Sequence, residues 1–477
     1  MYKYIRNIGL PALVLTMMGL TSCGDDYQKF KEYPYLTDLE SVKILNGGIG
    51  GNTVFEGRID RENKMIDFSR MDQETDFSKL QVEAVLSEGA ELQESVLDFS
   101  MAADEAFKTL TLRVKNHERY TDWFIRVRKR IPVYGADFEK GTTYDYTVGG
   151  GNIYPSFGSG LVRWASCDGI NVVIPSRNAA YGAQALKVED LRKGIVNPIT
   201  LDLTGVTGGT FVYNCSAAVN GHIYLISLSG SHASPFRIYY YETPESPVEC
   251  VLDVPNMDNF APDAGARNGD NASFNLDENG DGYAFFGDNA GAKVLRIKVT
   301  GYKNFSEPEV FTHGISNLQS WMTIYKVPNS DMYMMGGTYS PVMLVDESVA
   351  MQYSMNTSYM PAQSIGVRVV EFNSERYLIM VNIARSTAVV PTLYVFNITK
   401  GGDAIKGALE FFDQGANHAP DFSFTLGGSN YSAPGADTGY RIIKDSQGKD
   451  ETLILFAGRA DSGFVLCEFP IKKEVDD

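Results

Sequence analysis

The chain is poor in the residues from which most catalytic and redox centres are assembled. It has five cysteines and five histidines in 477 residues. His117, His222, His232, His313 and His418 are scattered, with no pair at a zinc-binding spacing such as HExxH. No GxSxG elbow is present and no glycine loop leads into a helix to cradle phosphate, so serine-hydrolase and nucleotide readings lack their mechanical parts. Long apolar runs are missing too: the run from Ile8 to Leu20 is broken by Pro11 and falls short of the roughly 20 residues a spanning helix needs. Basic charge is in deficit, with 42 Lys and Arg against 59 Asp and Glu and a formal net charge of -17. That balance argues against nucleic acid and against an electrostatic membrane patch. No long amphipathic helix pattern is evident.

Apolar and turn-forming residues are plentiful: 44% hydrophobic, 12% aromatic and 46 glycines, enough for two domains with large cores. The stretch from Asn271 to Val299, NASFNLDENGDGYAFFGDNAGAKVLRIKV, predicts three short strands, a polar turn at Asn279 to Gly282 and a glycine-rich loop at Gly287 to Ala292. Similar units recur every 40 to 50 residues or so, roughly the period of a β-propeller. Six hairpins fit the pattern. They are Asn171 to Ile174 with Ala185 to Val188, His222 to Leu228 with Phe236 to Tyr241, and Gly282 to Phe286 with Lys293 to Val299. Met332 to Met335 with Val342 to Val345, Tyr377 to Ile383 with Thr392 to Ile398, and Leu453 to Ala457 with Phe464 to Phe469 complete the series. A candidate inner strand precedes each. Strands such as Ile223-Tyr224-Leu225-Ile226 are apolar on both faces, as packing between neighbouring blades requires. Six blades are expected, and the gap through Phe411, Phe412, Phe422 and Phe424 leaves room for a seventh.

Residues 35–131 predict a separate small β domain. Leu110, Leu112 and Val114 fall on one strand face and Thr111, Arg113 and Lys115 on the other; Trp123, Ile125 and Val127 alternate likewise with Phe124, Arg126 and Arg128. Such half-buried strands suit a sandwich, and Pro132 and Gly135 punctuate the boundary. The expected fold is all-β: a β-sandwich over 35–131, then a β-propeller over 136–473.

Lys3 and Arg6 precede the first apolar run, and Leu20-Thr21-Ser22-Cys23 closes it. That tetrapeptide resembles the bacterial lipobox, which implies removal of residues 1–22 as a signal peptide and lipidation of Cys23; an ordinary secretory leader with a chance cysteine is the alternative. Several acyl chains on one residue anchor stably, so the resemblance implies outer-membrane lipid as a partner and a tethered protein. Gly24-Asp25-Asp26 open a linker over 23–34 and resemble the acidic signal that sends Bacteroidetes lipoproteins to the outer face of the outer membrane. A solvated linker is the alternative. The first β domain resembles the Ig-like modules near the start of such lipoproteins, which implies a spacer. Cys167, Cys215, Cys250 and Cys467 read as buried thiols, with two disulfides as the alternative.

If each hairpin supplies the second and third strands of a blade, the loops inside them emerge on one face. Those loops carry Arg177, His232, Asp288, Tyr339, Arg385 and Arg459, and Trp321 opens an inner strand. These seven are the candidate ligand residues: guanidinium forks clamp carboxylates, and Trp and Tyr faces stack on sugar rings. The competing reading pairs the arginines with carboxylates around the rim. Asp277, Asn279 and Asp281 place oxygens at alternate positions before a glycine turn, as calcium loops do. A plain hairpin turn competes with calcium there, since no helices flank the segment. No other cofactor is expected. Sialidases, six-bladed propellers with an arginine triad, invite comparison, but their repeated Ser-x-Asp-x-Gly-x-x-Trp boxes are absent, and Phe236-Arg237-Ile238-Tyr239 lacks the proline of their Phe-Arg-Ile-Pro motif.

Lipobox, acidic start, spacer and repeated sheets together resemble the surface lipoproteins of gut Bacteroidetes. The resemblance implies a non-catalytic protein at the cell exterior that binds a glycan or glycoconjugate beside an outer-membrane transporter complex. A glycoside hydrolase or lyase working in the same funnel and a protein-interaction scaffold are the alternatives; the paired carboxyls a glycosidase needs cannot be picked out by spacing.

Overall fold

The structure, a computed structural model, describes residues 35–473 except 103–104, 132, 152–153, 155–156, 158–161, 289–291, 314–320, 386–387 and 429–434. The expected signal peptide, Cys23 and the acidic residues after it lie outside the described residues. The chain divides into two compact units, Met1–Pro132 and Val133–Asp477.

In the first unit, two sheets share one core. One runs Thr53–Glu56, Leu39–Gly47, Leu80–Leu86, Val96–Leu97; the other runs Arg58–Asp60, Met65–Met71, Arg119–Lys129, Phe107–Asn116, Glu91–Leu92. Period-two alternation does the sorting: Val42, Ile44, Leu80 and Val82 from the first sheet and Phe68, Leu112, Trp123 and Ile125 from the second are buried together. Met65–Met71 lies parallel to Arg119–Lys129; the other pairings are antiparallel.

The described residues of the second unit form six four-stranded antiparallel sheets. Sheet I comprises Ser166–Cys167, Asn171–Pro175, Ala183–Lys187 and Ile199–Thr200; sheet II, Phe211–Val219, His222–Leu228, Phe236–Tyr241 and Glu249–Val254. Sheet III comprises Ser273–Leu276, Gly282–Gly287, Lys293–Thr300 and Asn304–Thr312; sheet IV, Met322–Lys326, Tyr333–Gly337, Met343–Val345 and Met351–Ser354. Sheet V comprises Ser364–Phe372, Glu375–Asn382, Thr392–Asn397 and Phe422–Thr425; sheet VI, Ala436–Lys444, Asp450–Arg459 and Gly463–Pro470. The fourth strand of sheet VI comes from the opposite end of the unit, Thr142–Thr147, with Thr142 opposite Glu468 and Thr147 opposite Gly463. The first strands of consecutive sheets touch one another, and that of sheet VI touches that of sheet I.

Second strands are apolar on both sides because each face meets a different neighbour. In His222–Leu228, Tyr224 and Ile226 enter one buried cluster while Ile223 and Leu225 enter another. Glu375–Asn382 behaves alike, with Tyr377, Ile379 and Val381 on one side and Leu378 and Met380 on the other. The phenylalanine-rich gap is no seventh sheet. Ile405–Gln414 is an amphipathic α-helix burying Ile405, Ala408, Leu409 and Phe412, and Phe422 and Phe424 belong to the fourth strand of sheet V. The helix was not expected; its 3-4 spacing is in the sequence, but the aromatic run masked it.

Candidate functional site

The first strands surround a cavity of about 430 Å³. Its walls are residues of those strands and of the turns that follow them: Ser166 and Cys167 of sheet I, Ser216 to Val219 of sheet II, Phe274 to Leu276 of sheet III, Tyr325 and Lys326 of sheet IV. Arg368 of sheet V and Asp437 and Tyr440 of sheet VI complete it. Near the starts of the first strands Trp164 and Trp321 are buried in one cluster with Ile365 and Ala436.

At the depth of the cavity three side chains interlock. The Tyr325 hydroxyl donates to Asp437 Oδ2 at 2.8 Å, and the Arg368 guanidinium lies 3.2 Å from the Tyr325 ring centroid. Arg368 Nε donates to the Thr438 carbonyl at 3.1 Å, and its Nη2 stands 3.8 Å from Asp437 Oδ2. Asp437 is 2% exposed and Tyr325 4%. Burial pushes the Asp437 carboxyl up to about 6, against the Arg368 charge, the Tyr325 hydroxyl and the Thr438 amide, all of which favour the ion. Burial likewise drives the Tyr325 phenol far above its ordinary range. A bulge between Ile365 and Arg368 aims the guanidinium inward. Gly366 in that bulge has φ +61°, and a Cβ there would meet Thr438 N at 2.6 Å and Asp437 Oδ1 at 2.9 Å. Glycine is what lets sheets V and VI close on the carboxyl.

Three more carboxylates line the mouth, and each is engaged with backbone amides. Asp168 accepts from Ile170 N and Asn171 N, both at 2.9 Å, and from Gly221 N at 2.6 Å. Asp277 accepts from Asn279 N at 2.8 Å and Asp281 N at 2.9 Å; Asp281 accepts from Gly301 N at 2.8 Å. At Asp277, Asn279 and Asp281, where a hairpin turn and calcium were the two expectations, the geometry is that of a turn: Asp277 Oδ1 closes it on the Asn279 and Asp281 amides, which hold the carboxylate below the usual range. Among the described residues no group of three or more His, Cys, Asp or Glu is arranged to hold a metal ion.

None of the seven predicted ligand residues lines this cavity. Arg177, His232, Asp288, Tyr339 and Arg385 sit on, and Arg459 ends a strand at, connections between second and third strands, the opposite end of the sheets from the cavity turns. Arg177 stacks on Phe211 at 4.0 Å and Arg385 on Trp321 at 4.7 Å. Trp321 is itself 4% exposed, so its ring packs in the core and is not open for stacking on a sugar. Tyr339 is exposed. His232 binds Asp258 through Nδ1 at 2.6 Å and faces the Ala264 and Gly265 carbonyls through Nε2 at 3.0 and 3.2 Å. Asp288 is buried against Gly265. Arg459 is a wall residue: 1% exposed, it donates to the carbonyls of Ile383, Ala384 and Ala460 and to Ser462 Oγ. Cys167, Cys215 and Cys467 are buried free thiols and Cys250 is an exposed one.

An all-β chain whose second unit gathers six sheets about a polar cavity is the class these features define. The chain belongs to the DUF4623 family, a domain of unknown function, which matches residues 25–472. It is similar to the crystal structure of a DUF4623 family protein from Bacteroides eggerthii DSM 20697, at 46% identity and a TM-score of 0.76, covering 92% of this chain and 100% of that one. Distant similarity extends to a GH43_1 enzyme from Xanthomonas citri complexed with xylose, at 12% identity and TM-score 0.32 over 52% of this chain and 88% of that one. It also extends to CoXyl43, a GH43 β-xylosidase/α-arabinofuranosidase from a compost microbial metagenome, at 13% identity and TM-score 0.31 over 50% of this chain and 90% of that one. No curated protein matches the chain. No helix among the described residues is long and apolar enough to cross a membrane.

Proposed function

We propose that the second unit is a six-bladed β-propeller whose central cavity binds a saccharide without cleaving it. On this reading the first unit is an Ig-like spacer, and lipidated Cys23 tethers the protein to the outer face of the outer membrane beside glycan-uptake machinery. The observation that carries the binding role is the Tyr325–Asp437–Arg368 cluster at the bottom of a polar cavity of about 430 Å³. A volume in this range suits a small ligand. A buried carboxyl next to a guanidinium supplies acceptor and donor side by side, the pairing that neighbouring sugar hydroxyls satisfy. Tyr325, Tyr440 and Phe274 add aromatic surface.

Binding is favoured over hydrolysis because a glycosidase needs two available carboxyl groups flanking the bond. Asp437 has the raised affinity for a proton expected of an acid, but Asp168, Asp277 and Asp281 are occupied in fastening turns. A glycan array probed with the soluble chain beginning after Cys23 tests the proposal. Saccharide binding that is lost in Asp437→Ala supports it; binding retained in that variant contradicts it. Reducing-end release from the bound saccharide would favour the hydrolase alternative. Lipidation is tested separately by incorporation of labelled fatty acid, which Cys23→Ser should abolish.

A further inference from the structure

The outward face of the five-stranded sheet in the first unit carries a pattern that its fold does not require. Along Arg119–Lys129 the outward residues are Tyr120, Asp122, Phe124, Arg126 and Arg128. Their partners across Phe107–Asn116 are Lys115, Arg113, Thr111, Thr109 and Phe107. Aromatic rings therefore recur at rows 120, 124 and 128, the last through Phe107, at intervals of about 14 Å for a rise of about 3.4 Å per residue. The rows between them carry guanidinium groups, Arg113 and Arg126. Phe107, Tyr120 and Phe124 are 57%, 59% and 48% exposed, although the core beneath is already supplied by Leu112, Trp123 and Ile125.

Both guanidinium groups are fixed by carboxylates and lie over aromatic rings. Arg113 is fixed by Asp122 at 2.6 and 2.8 Å and lies 4.1 Å from the Tyr120 ring centroid; Arg126 is fixed by Asp67 at 2.5 and 3.0 Å and lies 5.9 Å from that of Phe107. Flanking rows add Arg58 opposite Asp67, Arg70 opposite Arg128, and Lys115 opposite Glu91. Cations outnumber carboxylates on this face, in a chain whose net charge is -17. Exposed aromatic rings in single file on a face with a surplus of cations complement a linear polymer with apolar ring faces and negative charges.

We propose that this sheet face binds a linear polyanionic saccharide of the polyuronate class. Sugar rings stack on Tyr120, Phe124 and Phe107, and their carboxylates pair with the surplus cations of the flanking rows, Arg58, Arg128 and Lys115. The site is separate from the cavity of the second unit and does not depend on what that cavity holds.

Affinity electrophoresis of the full soluble chain in gels containing polygalacturonate provides the test. The wild type should be retarded at low ionic strength, with retardation falling as salt is raised, and neutral dextran should have no effect. Replacing Phe107, Tyr120 and Phe124 together by Ala should weaken binding at least tenfold, whereas Phe411→Ala, an exposed ring elsewhere, should not alter it. Arg58→Ser with Arg128→Ser should weaken binding about threefold or more and flatten its salt dependence. Far-ultraviolet circular dichroism on each variant establishes that the sheets are intact. Unchanged retardation of a folded triple variant overturns the proposal, as does equal retardation by dextran. So does retardation by single-stranded DNA without any by polygalacturonate.

Discussion

Arg368 lies over the Tyr325 ring, its guanidinium carbon 3.2 Å from the ring centroid, while Tyr325 donates its hydroxyl to Asp437 at 2.8 Å. A carboxyl from sheet VI is thus held by a phenol from sheet IV, which an arginine from sheet V covers. Tyr325→Phe keeps the stacking and removes the hydrogen bond, so Asp437 loses a buried partner at a cost of about 1–3 kcal/mol. Chemical denaturation should register that loss, and affinity for any cavity ligand should fall with it.

Asp437 makes stability depend on pH in an unusual direction. Its folded carboxyl titrates near 6, above its ordinary value of 3.8, because burial penalises the ion. The folded state therefore binds the proton more tightly than the unfolded chain, and this residue's contribution falls as pH rises from about 4 through 6. A gap of that size between the folded and unfolded carboxyl is worth roughly 3 kcal/mol. Asp437→Asn should accordingly gain stability relative to wild type as pH is raised across that interval. Denaturation curves of both proteins at pH 4, 5, 6 and 7 measure the difference, and one that is constant with pH would contradict the assignment.

His232 is a second pH-sensitive contact, on the other end of the sheets. Both ring nitrogens face acceptors, Asp258 at 2.6 Å and the Ala264 carbonyl at 3.0 Å, so its pKa is raised, chiefly by the Asp258 hydrogen bond. Stabilisation from this clasp is complete below the ordinary histidine pKa and is lost as pH rises through the folded value. His232→Asn should lower Tm more at pH 5.5 than at pH 8.5, and the His232 ring signals in a proton NMR titration should move at higher pH than those of a histidine peptide.

Arg459 and Gly366 are framework positions whose substitution should be severe. Arg459→Ala strands the Ile383, Ala384 and Ala460 carbonyls in the interior and should cost about 3 kcal/mol or more, against under about 1 kcal/mol for Tyr339→Ala on the exposed loop. Gly366→Ala combines positive φ with backbone contact at 2.6 Å and should destabilise by more than about 1 kcal/mol. Urea titration of the three variants ranks them directly.

Much of the second unit was legible because its first three strands per sheet are short apolar runs set apart by glycine and asparagine. Fourth strands were not: Met351–Ser354 is short and mostly exposed, and half of Glu249–Val254 is exposed, so they carry little periodic signal. The fourth strand of sheet VI was hidden for another reason, since Thr142–Thr147 pairs with Gly463–Pro470 across the whole length of the unit and no local pattern announces it. The cavity residues come from separate sheets in the same way. A local trace did exist, in that Arg368 lies between Val367 and Val369 in SIGVRVVEF and Asp437 falls in the buried half of ADTGYRIIK. A charge in such a place needs a partner across the fold. Loop arginines are conspicuous in sequence, yet Arg459 proved to be a buried brace and Arg385 a cover for Trp321.

Crystals of the soluble protein soaked with a saccharide identified by the glycan array test whether the cavity is the saccharide site. Density for the sugar among Tyr325, Arg368 and Asp437, within hydrogen-bond distance of the carboxyl, is the predicted result. Sugar bound among Arg177, Tyr339 and Arg385 with the cavity empty would contradict it.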